Sequence, residues 1–453
     1  MAIPSDSGWQ LISAAVNHKC SPAMASASLK LPVIQNWSCH NCGGCCREHL
    51  IEITEDEKRR IEKQGWTQKD GIPVDRPVIQ KIGPKRYRLA HKDNGACVFL
   101  NEEGLCRIHA KFGEPEKPLA CQVYPYAFHP RGNRIATSLR FSCPSVVRNA
   151  GTALEEQQAD LQELCNQVVS GRQTKVVPPT VHAKAKLPWE DINRFIEALD
   201  VSMQDKSVNF TVRLLRTLEW MNLVEQAQFE TVKGARLQDF LQLMLEASSK
   251  AQPDNDLPVL RPSFLSRMMF RQLAAQMARH DTEQLAQGGM RTRIQLLQTV
   301  LRFSSGTGQV PALREPTSVV TAFGSLPNEV VAFSQLEKSF EGRRPEIDEL
   351  FERYMRVKIQ GIHFCGVACY NLSVVDGFRT LAMMYPVTMW LARWRAARRG
   401  HTEVELVDVQ AALATADHNF AYSPALGTGS AKNRIRQLAK MNQIAALCGW
   451  YSL

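Results

Sequence analysis

Nowhere in its 453 residues does this chain carry an apolar run of about 18 residues, the minimum for a bilayer-spanning helix. Its greasiest stretch, Leu381–Ala392, is followed at once by Arg393, Arg395, Arg398 and Arg399. That pattern predicts a buried helix whose arginines form a solvated C-terminal end matching the helix dipole. The opening MAIPSDSGWQLISAAVNHK has no basic segment ahead of its short apolar stretch, so no secretory signal is read there. A soluble, cytoplasmic protein with no membrane partner is expected. Glycine and proline stand at 26 and 23 residues, near average, which excludes collagen-like and wholly disordered chains. A period of repeat length is lacking, which excludes a solenoid. The net charge of +10 is not gathered into a basic arm. Residues 1–171 carry 21 Lys and Arg against 18 Asp and Glu, and the remainder 34 against 27. Without RNP or zinc-finger spacing, nucleic-acid binding is unsupported.

Cysteine is what the chain does have, and its placement is uneven. Eight of the 13 fall in one stretch: Cys39, Cys42, Cys45, Cys46, Cys97, Cys106, Cys121 and Cys143. Cys20, Cys165, Cys365, Cys369 and Cys448 are scattered. Clustered thiols without an export signal point to metal rather than disulfides. In WSCHNCGGCC, two residues between thiols let a tight turn aim both sulfurs at one centre. Gly43 and Gly44 permit positive φ and leave backbone N–H groups free to face sulfur. Zinc takes four such ligands in a closed tetrahedron. A cubane iron–sulfur cluster also takes four, and C-x2-C-x2-C resembles the ferredoxin run, with Cys143-Pro144 as a distal Cys-Pro step. Cys106 and His109 stand at i and i+3, a pair suited to one metal on a short helix. Cys39, Cys42, Cys45 and Cys46 rank first as ligands. Cys97, Cys106, Cys121 and Cys143 follow, and His109 comes last. Eight small buried hydrophobes are the bland alternative, but packing alone does not call for C-x2-C-x2-CC.

The order Cys39-x2-Cys42-x2-Cys45-Cys46, Cys97, Cys106 with Ile108-His109, Gly113, Pro118, Cys121 and Tyr124-Pro125 resembles the zinc- or iron-chelating CxxCxxCC cysteine-cluster family. The resemblance covers roughly residues 31–150. Flagellin lysine-N-methylases belong to that family. The resemblance implies a metal site, iron–sulfur in the methylase members, and a helical C-terminal region, to which Phe351–Arg399 is similar. Run and resemblance together favour a [4Fe–4S] cluster over zinc. They frame two functions. One is S-adenosylmethionine-dependent methylation of a protein substrate that presents lysine. The other is a zinc-stapled, non-enzymatic interaction protein.

The expected fold is an α+β cysteine-cluster domain followed by a mostly α-helical domain: a flexible extension at 1–30, the metal domain at 31–170, an exposed linker at 171–189 and helices at 190–453. Thr54 with Glu57 predicts a capping box opening a helix through Lys63. Segments 85–90, 96–100 and 134–141 read as strands. Single helices are expected at 326–340, 377–398 and 430–448. No strand precedes the glycine-bearing loop 425–430, so it reads as a plain helix start rather than a cofactor turn. Cys365-x3-Cys369 lacks the third cysteine of the usual radical C-x3-C-x2-C run, with Leu372 in its place. The pair reads as one face of a buried helix with His363 nearby, a minor metal site being the alternative. Asp417, His418 and Tyr422 read either as acid–base groups or as an exposed helix end.

Overall fold

The computed structural model describes residues 28–73, 76–169, 176–183, 185–251, 260–278, 290–311, 313–342 and 344–452. Most of the 1–30 extension and the first part of the 171–189 linker lie outside these residues. Small sheets and short helices occupy 28–168, and the rest is mostly helical, as expected.

Two three-stranded sheets divide the first region. In one, β1 (Ser28–Lys30) runs parallel to β6 (Arg134–Leu139), which pairs antiparallel with β5 (Tyr126–Arg131). Gly132, at φ +67°, begins the two-residue turn of this hairpin, where a left-handed first residue matches the strand twist. In the other sheet, β4 (Arg86–Leu89) is flanked by β2 (Glu52–Ile53) and β3 (Ile79–Gly83). Its small core gathers Ile51, Ile53, Ile61, Leu89, Val98, Phe99 and Ile108. The hairpin sheet belongs instead to the main core: Ile135, Leu139 and Phe141 cluster with Phe351, Tyr354 and Phe378 of the helical region. One continuous apolar interior therefore carries the hairpin sheet and the helices together.

The short helices of this region hold the cysteines. They are α1 (Cys45–Glu48), α2 (Glu55–Lys63), α3 (Arg107–Phe112), α4 (Leu119–Val123), α5 (Pro144–Val147) and α6 (Gln158–Val168). The Thr54–Glu57 capping box at the head of α2 is formed as read. Glu57 Oε1 also accepts from the Leu119 N–H at 2.7 Å, tying α2 to the start of α4. Segment 96–100 is not a strand. It is a turn pinned by isolated bridges from His91 to Cys97 and Leu100 to Cys106.

The helical region contains α7 (Trp189–Ser202), α8 (Phe210–Gln226), α9 (Ala235–Ala251), α10 (Phe264–Ala278), α11 (Met290–Ser305), α12 (Thr317–Phe323), α13 (Phe333–Leu336) and α14 (Pro345–Gln360). It ends with α15 (Val374–Ala382), α16 (Met384–Arg398), α17 (Leu406–Asn419), α18 (Gly429–Lys440) and α19 (Gln443–Tyr451). Three single-helix expectations are corrected. Residues 326–340 are helical only at 333–336. The 377–398 helix breaks near Met383, because Pro386 offers no N–H and its ring opposes the carbonyl four residues back. The last helix breaks at Asn442, which is left-handed at φ +52°.

The arginines after Leu391 do not form a solvated end. Arg393 is buried and donates to the Leu336 and Lys338 carbonyls, and Arg395 is buried in ion pairs with Glu315 and Asp408. The described part of the 171–189 segment is not exposed throughout either. Val181 is buried, and the Thr180 and Val181 carbonyls accept from Val374 and Val375 N–H at the head of α15.

Candidate metal centre

A cavity of about 310 Å³ lies where α1, α3, α4 and the 97–106 turn meet the start of β5, Arg140 just after β6 and Tyr422 in the turn after α17. Cys39, Cys45, Cys46, Cys97, Cys106 and Cys121 all line it. Each arrives on a different device. Cys45 and Cys46 open α1, Cys106 is the cap of α3, Cys121 lies in α4, and Cys97 is held by its N–H bond to the Cys46 carbonyl at 2.7 Å. His109 joins Cys106 at the rim, as the i, i+3 spacing predicts. Cys42 and Cys143 do not line the cavity. Cys143 is buried at the cap of α5, close enough to Cys42 for their charges to act on one another. Cys165, Cys365, Cys369 and Cys448 are buried elsewhere.

The two glycines of the run have different tasks. Gly43 is left-handed at φ +65°, as the sequence suggests. Gly44 is right-handed at φ −60°. Its need is space: a Cβ there would stand 2.4 Å from the Ser318 Cβ and 3.4 Å from the Cys42 sulfur. Helix α12 thus rests on the cysteine loop, and Glu48 accepts from the Thr317 and Ser318 N–H groups at its head.

Electrostatically the thiols form one set. The Cys45 and Cys46 sulfurs are 4.0 Å apart, and that bond together with burial holds the Cys45 thiol well above the usual range. Burial pushes Cys97 up to about 12, with the charges of Cys106 and Cys45 adding to it. Burial likewise raises Cys121, again with Cys97 and Cys45 adding. Ionising any one of these thiols is therefore opposed by desolvation and by its neighbours unless a cation arrives to coordinate them. The donor set fits such a group in kind, soft thiols that line one cavity. Among the described residues, no three His, Cys, Asp or Glu side chains converge tightly enough to hold a single ion. The thiols ring an open volume instead.

Among the described residues two cations line the cavity, and no carboxylate does. Lys117 faces the thiols and lowers the cost of charging Cys45 and Cys121. The opposite wall carries Tyr124, Tyr422 and Arg140, with the Arg140 guanidinium 3.9 Å from the Tyr422 ring centre and 5.5 Å from that of Tyr124. His49 stacks edge-on against Tyr124 at 4.8 Å.

Behind that wall lies a buried polar network around Asp417, a residue that the sequence left as either an acid–base group or part of an exposed helix end. Lys358 and Asp417 are both fully buried and 2.8 Å apart. Lys358 also donates to the Leu139 carbonyl at 3.0 Å and to His363 Nδ1 at 3.4 Å. Asp417 also accepts from Tyr354 Oη and from the Ser142 N–H, both at 3.1 Å. Cys365 and Cys369 sit in a turn rather than on a helix, because Gly366, Tyr370 and Asn371 are left-handed there. Loop 425–430 is a plain helix start, with the Thr428 hydroxyl accepting from Ala431 N–H. Sequence reading missed Lys117 and Arg140. Arg140 left one signal, an arginine ending a strand segment buried on both faces from Ile135 to Leu139.

Residues 38–166, which carry all eight clustered cysteines, match the CxxCxxCC family described as "Putative zinc- or iron-chelating domain". Over 128 residues, 25% of this chain, the sequence is 27% identical to the lysine-N-methylases of Salmonella choleraesuis strain SC-B67 and Salmonella typhimurium strain LT2. This chain spans 29% of the length of each of those relatives. The flagellar biosynthetic protein FliU of Salmonella muenchen matches at the same identity over 70% of its length. No solved structure matches. Among the described residues no helix is long and apolar enough to cross a membrane. The cysteine framework of residues 38–166 is thus similar to that of the CxxCxxCC family.

Proposed function

We propose that this is a cytoplasmic metal–thiolate protein in which four of Cys45, Cys46, Cys97, Cys106 and Cys121 supply the ligands of a [4Fe–4S] cluster, with Cys39 at the rim. The cavity beside that cluster then binds S-adenosylmethionine for methylation of a protein lysine. The observation that carries this reading is that six thiols, from four separate segments, line one cavity. A lone zinc ion with bonds of about 2.3 Å would draw its sulfurs to within about 4 Å of one another. A ring of thiols around a larger volume suits a polynuclear group better. Cys42 and Cys143, outside the lining, are second-tier ligands.

The names of the relatives support the methylase half of the reading. S-adenosylmethionine, when bound, supplies its sulfonium methyl group to a neutral amine. The chain's own contribution is to exclude water, to hold the thiols with Lys117 as counter-charge, and to present an aromatic wall to the cofactor. A reducing compartment keeps such exposed and half-buried thiols free for metal.

One observation favours the zinc-stapled alternative: the core under β2, β3 and β4 is small and includes Cys97 itself. A core of that size gains much of its stability from a metal. Anaerobic purification with iron, sulfide and zinc assays and a visible spectrum separates the two. About four irons per chain with broad absorption supports the cluster. Transfer of labelled methyl to lysine in a candidate substrate then tests the activity. One zinc with no colour refutes the cluster and leaves the stapled module.

A further inference from the structure

The cavity's two cations are not equivalent. Lys117 acts on the thiols and is 3.6 Å from Glu114, so its charge is already matched. Arg140 lies on the far wall, 6% exposed, and among the described residues no carboxylate comes within ion-pair distance of it. Its Nε is buried with no hydrogen-bond partner in the protein, and its Nη2 makes only a long bond, 3.4 Å, to the His418 carbonyl. Leaving a guanidinium desolvated and short of acceptors is costly. The fold nevertheless fixes it there. Tyr422 covers one face at 3.9 Å, and Tyr124 stands 5.5 Å away, its hydroxyl 3.2 Å from Ser142 Oγ. Ala421 is left-handed at φ +63°, which turns the chain after α17 so that Tyr422 comes back over Arg140. The nearest buried carboxylate, Asp417, is committed to Lys358, Tyr354 and Ser142. Among the described residues no carboxylate therefore answers this cation, although it faces a cavity.

We infer that Arg140 is the receptor for a carboxylate on a small molecule that occupies the tyrosine end of the cavity, opposite the thiols. A guanidinium offers parallel N–H donors that match the two oxygens of a carboxylate. One unmatched positive charge suits a monoanion better than a dianionic phosphate. The rest of this end is apolar and aromatic, with Val123, Tyr124, Tyr126 and Tyr422, so the body of the ligand is apolar or flat. The cavity is thus divided by charge into a metal end served by Lys117 and a carboxylate end served by Arg140. The identity of the neighbouring metal group rests on the proposed function; the receptor rests on Arg140 itself.

The test titrates four probes into metal-loaded full-length protein by calorimetry: S-adenosylhomocysteine, 5′-methylthioadenosine, L-methionine and inorganic phosphate. Wild type is compared with Arg140→Gln and Arg140→Lys, and metal content and thermal unfolding of each variant report on folding. If the inference holds, the carboxylate probes bind. Arg140→Gln then weakens them about 10- to 100-fold, the loss of a charge-assisted pair, and leaves 5′-methylthioadenosine unchanged. Arg140→Lys recovers part of the loss. If S-adenosylhomocysteine binds equally to wild type and Arg140→Gln, the receptor is refuted while the methylase reading survives. If neither adenosyl compound binds but methionine does so through Arg140, the methylase reading fails and the receptor stands. Phosphate binding in preference to carboxylate, or binding of no probe at all, overturns the inference.

Discussion

Breaking the Lys358–Asp417 pair should cost this protein more than any exposed ion pair it contains. Both side chains have 0% exposure, and the pair joins α14 to α17 directly. Through the Leu139 carbonyl and the Ser142 N–H it also joins both helices to the hairpin sheet and the segment after it. Lys358→Met leaves the Asp417 carboxylate in the interior with two neutral donors. Asp417→Asn leaves an ammonium whose proton affinity burial already lowers, with only neutral acceptors, the Leu139 carbonyl, His363 and the new amide oxygen, to receive it. Removing one partner of such a pair costs about 3–5 kcal/mol, because the survivor stays desolvated. The double variant removes both charges, so it should be less destabilised than the sum of the singles. The expected coupling is about 2 kcal/mol or more, near the upper part of the range for contacting residues. Urea unfolding followed by tryptophan fluorescence reads this, since Trp220 and Trp390 are buried in the same core. Single variants that lose less than about 1 kcal/mol, or effects that simply add, would refute the claim that this pair holds the sheet and helices in register.

Replacing Cys45, Cys46, Cys97, Cys106 or Cys121 with Ser one at a time should lower bound metal per chain at four of these positions, whereas Cys165→Ser and Cys448→Ser should not; equal metal in all seven would dissolve the proposed ligand set. Acid should destabilise the fold earlier than its carboxylates require. Burial, then Lys358, lowers His129 to about 3, and burial with the charges of Lys358, His129 and Arg140 keeps His363 well below its usual value. The folded state stays unprotonated at these rings while the unfolded chain takes up protons below about 6.5, so stability is full above that pH and falls as pH drops towards 3. At pH 5 the His129 contribution is a loss of about 2 kcal/mol, and His129→Phe should flatten the pH 5–7 slope of unfolding free energy. Gly44→Ala should displace α12 from the cysteine loop and show as faster proteolysis between residues 300 and 330; unchanged digestion would remove the steric argument. Glu57→Ala should destabilise more than Thr54→Ala, about 1 kcal/mol for the lost cap, and should also lower metal retention, because Glu57 alone of the two reaches Leu119 and so positions Cys121.

The cysteine framework was legible because metal ligands leave a spacing that packing does not need. The capping box at Thr54 was legible because caps are local. What escaped was non-local. Whether Arg393 and Arg395 face water or the Leu336 carbonyl and Glu315 depends on elements 57 to 80 positions away. The same holds for Asp417, whose partners lie in α14 and after β6, so its helix end reads as exposed until the sheet is laid against it. Gly44 illustrates the point within the motif itself: its neighbour is Ser318, and no pattern inside WSCHNCGGCC announces a helix from the other end of the chain.

That contact between Gly44 and α12 also orders events in time. The loop from Cys42 to Cys46 is roofed by residues that the ribosome makes some 270 positions later. At about 5–20 residues per second, that loop emerges roughly 14–54 s before α12 does. During that interval nothing from α12 packs on Gly44, and the loop gains that contact only once the far end of the chain arrives.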